Sequence, residues 1–200
     1  MDNIEKMVVI GCSAGGLEAC RYLVPRLRLG SSSLIIVSHI FADRILEELT
    51  DDEASVPSYI RNGLEIEPGK VYIKKSSSFE GFDFQNGRFV DCKTKDQDPI
   101  NDAFTRTANA YQKRCIGVVL SGAGGDGAIG SQRIKKVGGK VFVQRENYIL
   151  AYSRNCGIYC DQMPMATEGA VAVDFSGNID CLVDRLNLEL NDGRREKKSK

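Results

Sequence analysis

The stretch VVIGCSAGGLEA, residues 8–19, reads in two incompatible ways. An apolar run ends in a glycine-rich turn, and the turn opens into a helix. The glycines either cradle a phosphate on free helix N–H groups or hold Ser13 out as a nucleophile. Both readings need a buried strand, a tight turn and a helix in that order, so both predict an α/β beginning.

Working outward, residues 7–11 are a buried strand, and Leu17, Cys20, Val24 and Leu27 recur at helical spacing until Pro25 and Gly30 close the helix. SLIIVSH (33–39) is a second buried strand, and a connection of this length forces parallel pairing with a right-handed crossover. Residues 55–75 read as short strands around EPGK. FDFQNGRFVD (82–91) is a hairpin, because Asn86-Gly87 between alternating runs favours a type I′ turn. DPINDAF (98–104) opens a helix with Asp98 as cap, Pro99 in the first turn, and an apolar face of Ile100, Phe104, Ala108 and Tyr111. CIGVVLSG (115–122) is the strongest later strand. It leads through AGGDGAIG into a helix ending at KKVGG, then a strand at KVFV (140–143) and a last helix at NIDCLVDRLNL (178–188). Strands alternating with helices predict an α/β, doubly wound, mostly parallel sheet with helices on both faces and a small antiparallel hairpin excursion.

Composition narrows the function classes. Two hundred residues suit one domain, and 27 basic against 27 acidic residues set up no overall field toward nucleic acid. GRREKKSK (193–200) concentrates basic charge in what reads as a solvated, disordered tail, expected over 191–200. No apolar stretch reaches membrane-spanning length, so no membrane insertion is expected, and MDNIEKMVVIG lacks the basic start and apolar core of a signal peptide. Seven cysteines include no CxxC pair, the nearest being Cys156 and Cys160, and the chain has a single histidine. The expectation is no metal site, no cofactor, and reduced, mostly buried thiols in a cytoplasmic protein.

In open parallel sheets, reactive groups gather beyond the carboxyl ends of the strands. Three strand ends deliver Ser13, His39 and Asp126: a nucleophile, a base and a carboxylate to orient the base. Residues 11–15 match GxSxG, a pattern common by chance, whereas the dinucleotide pattern GxGxxG fails at Ser13. A lone histidine is more often structural than catalytic. His39, however, ends the strand beside the serine strand, which puts both side chains at one sheet edge. Asp126 could instead make a turn or cap the next helix. Asp43, four residues after His39, is the local rival, in what reads as a solvated helix start.

These segments, with IIVSHI, EPGKVYI, DPINDAF, IGVVLSGAGGDGAIG and QMPMATEGAV in the same order, resemble the signature segments of the CheB methylesterase catalytic domain. The resemblance runs from about residue 7 to 175 and makes residues 1–190 a CheB-like catalytic domain. It implies a serine hydrolase that demethylates glutamate γ-methyl esters on the cytoplasmic helices of methylated bacterial chemoreceptors, releasing methanol, with glutamine deamidation as a side activity. It carries the family's serine, histidine and aspartate onto Ser13, His39 and Asp126, with oxyanion donors at Ala14 and Ala123. The chain departs from the family where Ala123 replaces the methionine of GMG, where PGKVYIKK replaces PGHVYIAP, where QMPM (162–165) replaces GMPR, and where HIFAD lacks a proline. Family members at full length carry an N-terminal receiver domain. Here the first strand is expected at about residue 7, so regulation is expected from a separate receiver or signalling protein. The alternatives are a catalytically silent CheB-like docking module, a serine esterase or amidase with another substrate, and a phosphate binder.

Overall fold

The computed structural model describes residues 3–39, 49, 57–74, 80–94, 98–146 and 159–196. Its centre is a seven-stranded sheet of β1 (Met7–Cys12), β2 (Ser33–Ser38), β3 (Ser58–Tyr59), β4 (Val71–Lys74), β7 (Cys115–Val119), β8 (Lys140–Gln144) and β9 (Phe175–Gly177). The order across the sheet is β3-β4-β2-β1-β7-β8-β9, and every pairing in it is parallel. The chain leaves β1 toward β2 on one side and later enters β7 on the other. The crevice beyond the carboxyl end of β1 is therefore the switch point at which such sheets place their ligands.

Strand composition explains the layers. MVVIGC is buried at every position, as a strand covered on both faces must be. Val8, Ile10 and Cys12 join one core with Leu17, Cys20 and Leu23 of α1 (Gly16–Leu23) and Leu182 and Leu186 of α5 (Ile179–Glu196). Met7 and Val9 join the other core with Ile100 and Phe104 of α2 (Pro99–Tyr111), Ile134 of α3 (Ala128–Lys136) and Met163 of α4 (Gln162–Ala170). Helices cover both faces, as the alternation of elements predicts.

The hairpin is also as read: β5 (Glu80–Gln85) and β6 (Arg88–Lys93) pair antiparallel, with positive φ at both Asn86 and Gly87. Phe82 and Phe89 seal it onto the α2 core. Three expectations need correction. Asp98 makes no side-chain cap bond to α2. Helix α5 continues to Glu196, so the first residues of the expected tail are helical; 197–200 lie outside the described residues. The thiols are also less buried than expected: Cys12, Cys20 and Cys115 are buried, Cys92 and Cys160 are half-buried, and Cys181 is exposed. Cys156 and Asp43 lie outside the described residues. Among the described residues no helix is long and apolar enough to cross a membrane.

Candidate active site

Ser13 and His39 each follow directly on a register pair. Cys12 and Ser38 are partners across β1 and β2, so the next residue on each strand emerges at the same sheet edge. On the other flank, the β1–β7 ladder continues beyond the strand end. Leu120 donates its N–H to the Gly11 carbonyl at 3.0 Å, and Ser13 donates its own to the Ser121 carbonyl at 3.0 Å. The Ser13 carbonyl then accepts the N–H of Gly16, the first residue of α1, at 2.8 Å. Ser13 is thus held by backbone bonds before and after it. It is 7 % exposed.

The glycines of the opening stretch answer to packing as well as to conformation. A Cβ at Gly11 would collide with Ile100 of α2, and one at Gly16 would stand 2.5 Å from the Cys12 Cβ. Gly15, between Ser13 and α1, has φ +75° and suits the left-handed turn into the helix. These glycines let α1 and α2 close on the end of β1.

Asp126 is brought to His39. The imidazole Nε2 lies 2.9 Å from Oδ2 of the carboxylate, whose side chain is only 4 % exposed. The same carboxylate accepts two N–H groups from the first turn of α2: Ile100 at 2.9 Å on Oδ2 and Asn101 at 2.8 Å on Oδ1. Those donors are unsatisfied within their own helix and carry its positive dipole end. Asp126 therefore caps α2 from another part of the chain, in place of Asp98. Asp126 thus partners His39 and caps a helix, but that helix is α2 and not, as the alternative reading expected, the one that follows it: α3 has no side-chain cap bond from its own N-cap residue. Its hydrogen bond and charge raise the His39 pKa above the ordinary imidazole value of 6.5, with Asp98 adding a longer-range contribution and burial opposing both.

The loop from β7 to α3 is open at its tip, with Ala123, Gly124 and Gly125 exposed, and Ala14 is half-buried. The N–H of Gly122 donates to the Cys160 carbonyl and that of Gly124 to Gln162 Oε1, while those of Ala14 and Ala123 are not taken up by any group among the described residues. Ser121 ties the two loops together: its hydroxyl donates to the Ala14 carbonyl at 2.7 Å and accepts the Cys160 N–H at 2.8 Å. Neither Ser121 nor Asn101, both buried, was among the residues singled out from the sequence. The signal for Asn101 was a polar residue one step from Ile100, inside the buried arc of an amphipathic helix. No group of three or more metal-ligating side chains occurs among the described residues.

Comparison with known proteins gives one consistent answer. The model of the CheB methylesterase family matches residues 8–186. A protein-glutamate methylesterase/protein-glutamine glutaminase of Agrobacterium fabrum is 26% identical over 180 residues, covering 82% of this chain and 51% of the relative. The protein of the same name from Escherichia coli is 28% identical over 158 residues, covering 71% of this chain and 43% of the relative. The chain thus spans about half the length of the curated relatives it matches. The crystal structure of the Thermotoga maritima CheB methylesterase catalytic domain superposes with a TM-score of 0.77 at 25% identity, over 91% of this chain and 97% of that one. With the family's pattern running from the first strand into the last helix and its catalytic-domain fold shared, the chain belongs to the CheB methylesterase family.

Proposed function

We propose that this chain is a protein-glutamate methylesterase acting through Ser13, His39 and Asp126. The observation that carries the proposal is the bond from the chain's only histidine to Asp126, at the sheet edge where Ser13 stands in register. With Nε2–H donated to Asp126, the lone pair on Nδ1 is the base. It takes the Ser13 proton as Oγ attacks the carbonyl carbon of a glutamyl methyl ester. The negative charge gathers on the former carbonyl oxygen, where the N–H groups of Ala14 and Ala123 are the available donors. Collapse breaks the bond to the methoxy oxygen, and the imidazolium returns the proton to it as methanol leaves. Water then attacks the acyl-serine, Nδ1 accepts one of its protons, and glutamate departs as that proton returns to Ser13. Asp126 fixes the tautomer and stabilises the imidazolium in both halves. Glutamine follows the same path with ammonia as the leaving group.

The relatives' names supply the two substrate groups, a glutamyl methyl ester and a glutamine. The open loop tip at 123–125 suits a side chain presented on a protein surface, and the methylated cytoplasmic helices of chemoreceptors are the class we assign. Methanol release from methyl-labelled receptor fragments tests this reading. Wild-type protein is expected to release methanol, and Ser13→Ala and His39→Ala to lower the rate by roughly 10⁴-fold or more. Release that survives Ser13→Ala would remove the serine mechanism.

A further inference from the structure

The buried side of α2 carries a polar side chain, Asn101, next to Ile100. Its Oδ1 accepts two N–H groups, from Gly127 at 2.9 Å and from Gly130 at 2.8 Å. Gly127 follows Asp126 directly, and Gly130 lies in the first turn of α3. In return, the backbone N–H groups of Ile100 and Asn101 hold the Asp126 carboxylate. The starts of the two helices therefore cap each other: a side chain from each segment satisfies backbone donors of the other.

We infer that Asn101 is a positioning residue that fixes the direction in which Asp126 presents its carboxylate to His39. For its catalytic consequence alone, the inference rests on the esterase reading above. A carboxylate held by one histidine can swing about its own bond. Here Oδ1 is held by the Asn101 N–H, while Oδ2 meets both the Ile100 N–H and His39 Nε2. That grip sets a direction only if the loop bearing Asp126 cannot move relative to α2. Ahead of Asp126 the loop is tied at Gly122 and Gly124 to Cys160, Gln162 and Met163, and none of these bonds reaches α2. Asn101 supplies the anchor to α2, its one acceptor oxygen taking a backbone donor from each side of the turn into α3. The close crossing at Gly130, where a Cβ would stand 2.9 Å from the Asn101 carbonyl oxygen, keeps the two helices in register.

The chain's single histidine makes the test direct, because one imidazole titration by NMR reads His39 alone. The carboxylates that raise its pKa are Asp126, in contact, and Asp98, at longer range. Asn101→Ala is expected to lower the His39 pKa toward 6.5 and to cut kcat for methanol release by roughly 10²-fold with KM little changed. Asn101→Asp keeps an acceptor oxygen in place and is expected to hold the His39 pKa at or above that of the wild type, with most of kcat retained. Asp98→Asn, which removes charge without touching the anchor, is expected to move the titration less than Asn101→Ala does. An Asn101→Ala protein that is less stable yet titrates as wild type overturns the inference. If that variant does not fold, Asn101→Ser, whose oxygen sits one bond nearer the backbone, takes its place with the same expectation, and an unshifted titration again overturns it. A wild type that releases no methanol defeats the esterase reading, while the titration still decides the role of Asn101.

Discussion

At the scale of single residues, the proposed chemistry turns on one hydrogen bond. His39 can act as a base only when neutral, and Asp126 holds its pKa above 6.5. The acid limb of kcat/KM is therefore expected above 6.5, with activity falling as pH drops through the raised value. Asp126→Asn should move that limb downward and lower kcat by roughly 10⁴-fold, because the amide neither fixes the tautomer nor stabilises the imidazolium. Stability follows the same bond with the opposite trend. A histidine whose pKa is raised on folding stabilises the native state below its unfolded value and loses that contribution as pH rises through the folded one. The gap in urea midpoint between wild type and Asp126→Asn is thus expected to be wider in mildly acidic than in alkaline buffer. A gap independent of pH would mean that Asp126 serves only as the cap of α2.

At the scale of elements, the site is built by helices that approach backbone to backbone. Gly130 of α3 shows it best. A Cβ there would meet the Phe104 Cβ at 2.5 Å and the Asn101 carbonyl oxygen at 2.9 Å, and main chain cannot turn aside. Gly130→Ala is expected to cost about 1–3 kcal/mol in urea unfolding and to reduce activity by tilting the turn that carries Asp126. Gly169 of α4, where a Cβ meets nothing within 4 Å, is the control: Gly169→Ala should stabilise by about 0.4–1 kcal/mol and leave activity alone. This is also where sequence and structure part company. Strands β1, β2 and β7 were legible because each is a run of apolar residues broken by glycine or a polar residue, and their ends delivered Ser13, His39 and the approach to Asp126. The exchange of caps between α2 and α3 was not legible, because Asp98 satisfies the local rule and the true partner lies 25 residues from Asn101. Helix α4 and the three-residue β9 went unassigned for a different reason. QMPMATEGA has a weak apolar stripe and a proline in its first turn, and FSG is too short to show alternation.

At the scale of the whole molecule, the sheet separates two supporting structures. On one face α2, α3 and the hairpin stand behind the His39–Asp126 pair; on the other α1 and α5 stand behind the Ser13 turn. Helix α5 is held to the far end of the sheet by its apolar stripe and by Glu189. That carboxylate lies 2.5 Å from Lys140 Nζ and 2.9 Å from an Arg185 nitrogen, while Lys6 donates to the Glu189 backbone carbonyl. The two anchors differ in strength. Leu186 is fully buried, so Leu186→Ala should cost about 2–5 kcal/mol through lost transfer energy and the cavity left behind. Lys140 and Arg185 are both about two-fifths exposed, so Glu189→Ala frees cations that rehydrate, and it should cost less than Leu186→Ala. Because neither residue touches the α2 face, both variants are expected to titrate His39 as the wild type does, even where their urea midpoints fall. A shifted titration in Leu186→Ala would mean that strain crosses the sheet, making the two faces one mechanical unit. An unshifted one leaves the acid–base pair governed by the α2 side alone, with the C-terminal helix contributing stability and not chemistry.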